Sequence, residues 1–304
     1  MKQTTRVNYL LGAGLIFFGA VFFAGKAVLV KYNYLHYHVD TVSLLALRML
    51  SSLPFYLIIL AFKQKKNENV QKITIKQWSW IVILGIVGYY LASLFDFWGL
   101  NYITASVERL ILFLYPTIVV IISAIFLKKP IFKIQYFALI ITYLGVLCAF
   151  IPDLQIGLQK NLVIGSVLIF LSAFTYALYL IGSGEMIPKI GSTRFTCYAM
   201  IVSTIIVMLH YALTAQTSLF SYQIEVYYLS VSMAVFCTVI PSFMISEGIK
   251  RIGSGNASII GSVGPVATIV MANLFLDEKI NGLQLLGTFI VLAGVLMVSW
   301  KGKK

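Results

Sequence analysis

Five ionisable side chains, Lys26, Arg48, Asp96, Glu108 and Arg109, stand inside long apolar stretches of this 304-residue chain. A charge in such a setting is costly unless it is paired or faces a watery cavity, which makes these residues candidates for binding or gating. The basic members are suited to holding a carboxylate or phosphate. The two acids can pair with cations, and one of them can exchange a proton. Neighbouring residues on a helix diverge by about 100°, so Glu108 and Arg109 are expected to find separate partners rather than each other. A static lattice of ion pairs between helices is the competing role.

Other residue types mark the same region. The tyrosines Tyr89, Tyr176 and Tyr179 carry hydroxyls that need partners when buried, so they are candidate contacts for a substrate. Asn256 and Ser258 are candidate polar contacts beside a small-residue stripe, Gly253, Ala257, Gly261 and Gly264, that is expected to serve close helix packing. Pro116 and Pro265 each remove a backbone hydrogen bond in mid-stretch and are expected to kink their helices. Catalytic chemistry finds no such support. There is no H-E-x-x-H, G-x-S-x-G or phosphate-loop motif, and His36, His38 and His210 form no ligand set. Cys148, Cys197 and Cys237 are scattered singly, as buried small hydrophobes are. No catalytic residue, metal or cofactor is expected.

The elements that must position these side chains follow from composition. Sixty per cent of the residues are hydrophobic and 11% charged, too few to clothe a soluble domain of this size. Ten apolar stretches can be marked, roughly 9–30, 41–62, 78–98, 102–127, 134–151, 161–182, 195–214, 226–247, 252–276 and 283–300. Each approaches the length of about 20 residues that crosses a bilayer. Of the 23 Lys and Arg residues, Lys26, Arg48 and Arg109 lie in these spans and Lys31, Lys160 and Lys279 in connections on one side; the other 17 fall on the opposite side. The positive-inside rule then places both termini in the cytoplasm and the five buried charges in the outer half of the bilayer. A bilayer is thus the first partner, and the net charge of +13 does not call for nucleic acid.

The chain also resembles itself. At an offset of 149 residues, Gly99 to Leu147 aligns without gaps on Gly248 to Leu296, pairing Gly99 with Gly248, Pro116 with Pro265 and Gly145 with Gly294. The first span matches the sixth, LGAGLIFFGAVFFA against IGSVLIFLSAFTYA. A unit of five spans, repeated, puts the second copy upside down in the membrane. Two units are expected, 1–155 and 156–304. Inverted repeats of this kind build alternating-access carriers with substrate held between the halves.

The segments FFGAVFFAGKAVL, LALRMLSSL, GLNYITASVERLILFLYPTIVVIISAIFL and GIKRIGSGNASIIGSVGPVATIVMANLFLDEKI resemble the EamA-like branch of the drug/metabolite transporter superfamily. The resemblance covers nearly the whole chain. It implies an all-α, ten-helix carrier whose cavity is lined mainly by spans 1, 3, 4, 6, 8 and 9. It also implies cargo drawn from amino acids, other metabolites or drug-like compounds. Lys128-Lys129 and the Glu108-Arg109 pair depart from the family pattern. The expected function is secondary transport of a small anionic or zwitterionic metabolite across the inner membrane, as an exporter, with protons as coupling ion, by a monomer or homodimer. A drug or amphiphile exporter of the same fold is the alternative; a channel or intramembrane enzyme is the contrasting class.

Overall fold

Peptide groups inside hydrocarbon have no water to bond, so a chain this apolar must satisfy them within its own helices. The computed structural model describes residues 2–66, 72–103, 105–150, 161–214, 217–276 and 281–301, and every regular element in them is helical. The expected unit boundary at 155 and the loop residues Lys160, Asp277, Glu278 and Lys279 lie outside the described residues. The order is α1 (Lys2–Tyr37), α2 (Thr41–Lys66), α3 (Ile75–Gly85), a π-helical stretch (Ile86–Leu91), α4 (Ala92–Tyr102), α5 (Ala105–Leu112), α6 (Tyr115–Leu127) and α7 (Lys133–Phe150). There follow α8 (Leu162–Ile190), α9 (Ser192–Thr214), α10 (Ile224–Ala234), a second π stretch (Val235–Val239), α11 (Ile240–Ile260), a 3-10 turn (Gly261–Val263), α12 (Gly264–Leu276) and α13 (Gly282–Lys301).

Six helical runs are long and apolar enough to cross a membrane: Val7–Tyr37, Thr41–Lys63, Ile75–Tyr102, Leu162–Ile190, Ser192–Thr214 and the 52-residue Ile224–Phe275. Shorter apolar helices occupy Tyr115–Leu127, Lys133–Cys148 and Leu285–Met297. The chain is therefore a multi-pass membrane protein. Its burial pattern is that of a bundle in lipid: Phe62, Ile125, Phe126 and Phe289 are more than 60% exposed, while Lys26, Arg48, Asp96, Glu108 and Arg109 are all buried.

Several expectations about the elements change. The first helix runs on to Tyr37, so Lys31 sits in a helix rather than a connection; its ammonium donates to the Leu100 and Ile103 carbonyls at the end of α4. Capping by a cation is what a helix C-terminus favours. The stretch expected at 102–127 is broken between α5 and α6 at Phe113 and Leu114. The stretches expected at 226–247 and 252–276 are not parted by a polar loop. Lys250 and Arg251 instead ride the helix, paired to Glu247, and the turn comes at Gly253 with φ 77°. A side chain resists that left-handed conformation and glycine does not. Pro116 is the second residue of α6, a first-turn position where the missing N–H costs nothing, so it starts a helix rather than kinking one. Pro265 follows the 3-10 turn Gly261–Val263 inside the run Ile224–Phe275, where the helix changes its winding.

The spacing of these elements repeats. The starts of α3 and α10 (Ile75, Ile224), of the π stretches (Ile86, Val235), of α6 and α12 (Tyr115, Gly264), and of α7 and α13 (Lys133, Gly282) are each 149 residues apart. Packing repeats with it. Helix α1 lies along α11, and α8 lies along α4. Gly12 and Gly248 let the first pair close: a Cβ on Gly248 would meet Ile16 at 2.5 Å and the Gly12 carbonyl at 3.1 Å. At the second crossing, a Cβ on Gly99 would overlap the Ile169 side chain and meet the Gly165 carbonyl at 3.3 Å. Helices α2 and α9 pack together, as do α7 and α13.

Candidate functional site

Helices α1, α2, α4 and α5 bring the five buried charges into one cluster. The Lys26 ammonium lies 2.7 Å from Asp96 Oδ2 and over the Phe23 ring, 4.6 Å from its centroid. Arg109 Nε lies 3.0 Å from Glu108 Oε2. The Asp96 and Glu108 carboxyls sit in the same buried cluster. Apart from the two ion pairs, none of their four oxygens, all buried, meets a hydrogen-bond donor. Arg48 has no carboxylate within ion-pair distance among the described residues. Its Nη2 donates to Ser93 Oγ at 2.9 Å, and its guanidinium lies 4.9 Å from the Phe97 centroid. The cluster holds three cations and two carboxylates.

The expectation that Glu108 and Arg109 would not pair is overturned. The helical divergence applies to Cα–Cβ directions. At the short α5 helix the long side chains bend to a common point, and a dry interior with few other partners rewards that contact.

Beside the cluster lies an internal cavity with about 40 Å³ open to water centres, room for roughly two or three waters. Its walls come from α1 (Ile16, Ala20, Phe23), the α5–α6 break (Arg109, Leu112, Phe113, Tyr115), α8 (Tyr176, Leu180) and the α11–α12 region (Ile245, Ala257, Gly261, Gly264, Pro265). The lining expected from span 3 is missing, because the aromatic face of that span is taken up elsewhere. Gly88 admits the Tyr179 ring, and Tyr179 donates to the Tyr89 hydroxyl at 3.0 Å. Tyr176 reaches the cavity, stacked on Phe23 and met edge-on by Tyr115.

The candidate residues therefore divide. Arg109 and Tyr176 line the cavity. Lys26, Arg48, Asp96 and Glu108 stand behind Arg109, and Tyr89 and Tyr179 bond to each other away from it. Asn256 and Ser258 are elsewhere: Asn256 accepts from Gln135 Nε2 at 2.9 Å in a separate surface pocket near Lys129, and Ser258 bonds the Gly255 carbonyl. The small-residue stripe packs closely at Gly261, where a Cβ would meet the Tyr115 hydroxyl at 2.5 Å, and Ala257, Gly261 and Gly264 also border the cavity. Pro265 joins them there. Sequence reasoning missed Phe23, Phe113 and Tyr115 as wall residues. Tyr115 had a signal: it aligns with Gly264, so a bulky side chain in one copy faces a gap in the other. Among the described residues no group of three His, Cys, Asp or Glu side chains gathers to hold a metal.

Comparison with known proteins adds the family context. The EamA-like transporter family matches residues 10–151 and again 163–300. The uncharacterized transporter YcbK of Bacillus subtilis (strain 168) is 32% identical over 294 residues, 93% of this chain and 92% of its own. A second, the uncharacterized transporter YyaM of the same organism, is 28% identical over 80% of this chain and 79% of its own. A solved crystal structure superposes with a TM-score of 0.74 over 95% of this chain and 98% of its own, at 15% identity, a likeness of fold.

Proposed function

The chain belongs to the EamA-like transporter family, and from that premise we propose that it is a secondary carrier, exporting a small anionic or zwitterionic metabolite across the inner membrane. The observation that carries the reading is Arg109: a buried cation in the wall of an internal cavity, tethered to Glu108, with a lysine–aspartate pair behind it. A guanidinium so placed can hold a substrate carboxylate alongside Glu108, which offsets the substrate's charge in the membrane interior.

Ten spans fit the helices once the 52-residue run is divided at Gly253 and the helices 105–127, 133–150 and 282–301 are counted as crossings. The 149-residue recurrence of helix starts and breaks supports two five-span units, 1–155 and 156–304, related by inversion. The distribution of Lys and Arg supports cytoplasmic termini. Alternating access then rocks one unit against the other around the cavity. Two carboxyls in one buried cluster, the hold of one on Arg109 weakened when a substrate carboxylate shares that cation, give a proton a place to bind, which makes protons the coupling ion of this reading. The second reading, an amphiphile exporter, is favoured by the apolar and aromatic walls and needs no role for Arg109.

The test is counterflow in proteoliposomes, in which a carrier exchanges labelled solute against an internal pool. Glu108→Gln is expected to lower exchange at least tenfold and to change its pH dependence while folded yield is kept. Replacing Glu108 and Arg109 together by glutamine is expected to keep the folded yield as well and to leave exchange low. Wild-type exchange with wild-type pH dependence in Glu108→Gln would leave the cluster a static lattice.

A further inference from the structure

Resting on the carrier reading, we infer that the cargo is an organic carboxylate with an apolar, ring-sized body and no ammonium group. Arg109 is the one charged side chain on the cavity wall among the described residues. Its Nε lies 3.0 Å from Glu108 Oε2 without hydrogen-bond geometry, and its Nη2 donates to the Ala24 carbonyl at 3.5 Å, a long bond. Neither contact holds the guanidinium tightly, so a small turn of the side chain presents two N–H groups to a carboxylate in the cavity.

An ammonium finds nothing comparable. Asp96 and Glu108 are absent from the lining, fully buried, and each committed to a cation. The remaining wall offers the neutral hydroxyls of Tyr115 and Tyr176 among aliphatic groups. The cluster behind it is formally one positive charge in excess, with Lys26, Arg48 and Arg109 against two carboxylates. A monoanion cancels that excess. A zwitterion leaves it in place and adds an unpaired ammonium next to three cations, a costly arrangement in a dry interior. The rest of the cargo must match Phe23, Phe113, Tyr115 and Tyr176, whose rings favour an aromatic or branched apolar body. The cavity as it stands holds only a few waters, so the walls separate as the halves rock to admit it.

Four compounds with one phenyl skeleton separate the possibilities: 3-phenylpropionate, phenylalanine, phenethylamine and 3-phenylpropanol. The full-length protein in detergent is heated with each at millimolar concentration. The expected result is a rise in melting temperature of about 2–4 °C with 3-phenylpropionate alone. Counterflow of labelled 3-phenylpropionate should then fall at least tenfold in Arg109→Gln and recover in part in Arg109→Lys. The panel on the unmutated protein carries the test if Arg109→Gln does not fold. Phenylalanine stabilising as well as 3-phenylpropionate overturns the exclusion of ammonium and leaves the carrier reading standing. Equal stabilisation by 3-phenylpropanol removes Arg109 as the anchor and favours the amphiphile carrier. No shift with any of the four overturns the inference, and the counterflow test of Glu108→Gln still decides the carrier reading separately.

Discussion

The two halves of this protein share their breaks and differ in their chemistry. At the 149-residue offset, Asp96, Glu108, Arg109, Leu112 and Tyr115 of the first half fall on Ile245, Ala257, Ser258, Gly261 and Gly264 of the second. Both segments interrupt a helix at matched places and resume it at Tyr115 and Gly264. One copy fills the space with charge and an aromatic ring, while the other lines it with small apolar groups. Arg109, Leu112 and Tyr115 accordingly face Ile245, Ala257, Gly261 and Gly264 across the cavity. On the proposed carrier reading, the repeated backbone would supply symmetry of motion, and the unequal side chains a binding face and the room opposite it.

The largest expected effect comes from breaking the charged half. Asp96→Ala leaves the Lys26 ammonium buried without its counter-ion, a loss on the order of 3–5 kcal/mol. The aligned change in the other half, Ile245→Ala, trims a cavity wall and costs far less. Thermal unfolding of both variants in detergent checks the contrast. A Lys26→Met, Asp96→Leu double substitution is expected to regain most of the loss. Equal midpoints for Asp96→Ala and Ile245→Ala would mean that the charge contrast between the halves carries no stability.

A smaller effect separates two neighbouring glycines of the second half. A Cβ on Gly264 meets nothing within 4 Å, and the residue is helical, so Gly264→Ala is expected to gain about 0.5 kcal/mol. A Cβ on Gly261 would lie 2.5 Å from the Tyr115 hydroxyl, so Gly261→Ala is expected to lose about 1–3 kcal/mol. Adding Tyr115→Phe should relieve part of that loss. If both alanines shift the midpoint alike, the fit of Tyr115 against the small-residue face is not the specific contact described.

How much of this was legible in the sequence depends on which physics set each feature. Helical class, membrane insertion and the repeat register follow from composition, stretch length and the spacing of Gly and Pro, all local properties. The charged residues were legible because charge in an apolar run is costly wherever the chain then goes. Their pairing was not: a rule about Cβ directions could not anticipate that Glu108 and Arg109 would bend towards one point. Asn256 and Ser258 looked like cavity residues because they are polar in an apolar span. The turn at Gly253 carries Asn256 to Gln135 in another pocket, and Ser258 bonds backward to its own helix. Helix breaks were the other blind spot. A polar Lys250-Arg251 read as a loop, although the chain turned two residues later, where glycine allowed a positive φ.

The smallest expected effect concerns the contacts that tie the halves together at their rims. Near the end of α1, the Asp40 carboxylate caps α2 by accepting the Ser43 N–H at 2.9 Å, and its other oxygen accepts the Tyr222 hydroxyl at 2.8 Å from the segment between α9 and α10. Partial burial works against the charge on Asp40. The hydrogen bonds from Ser43 and Tyr222 outweigh it and hold the carboxyl below its ordinary range. Because the folded value lies below the unfolded one, the contribution is fully present above the unfolded value of about 3.9 and is lost as pH falls through the folded value. At another junction, Lys129 pairs with Glu185 of α8, an exposed pair worth about 0–1 kcal/mol and screened by salt. Tyr222→Phe should cost about 0.5–1 kcal/mol at pH 7 and less at pH 3. Asp40→Asn keeps a capping side chain, so it should lower the melting temperature at pH 7 and match the unmutated protein near pH 3. Melting curves across that range, with Glu185→Gln alongside in low and high salt, compare the two ties. A gap between Asp40→Asn and the unmutated protein that is as wide at pH 3 as at pH 7 would show that the carboxylate's charge contributes nothing to the link between the halves.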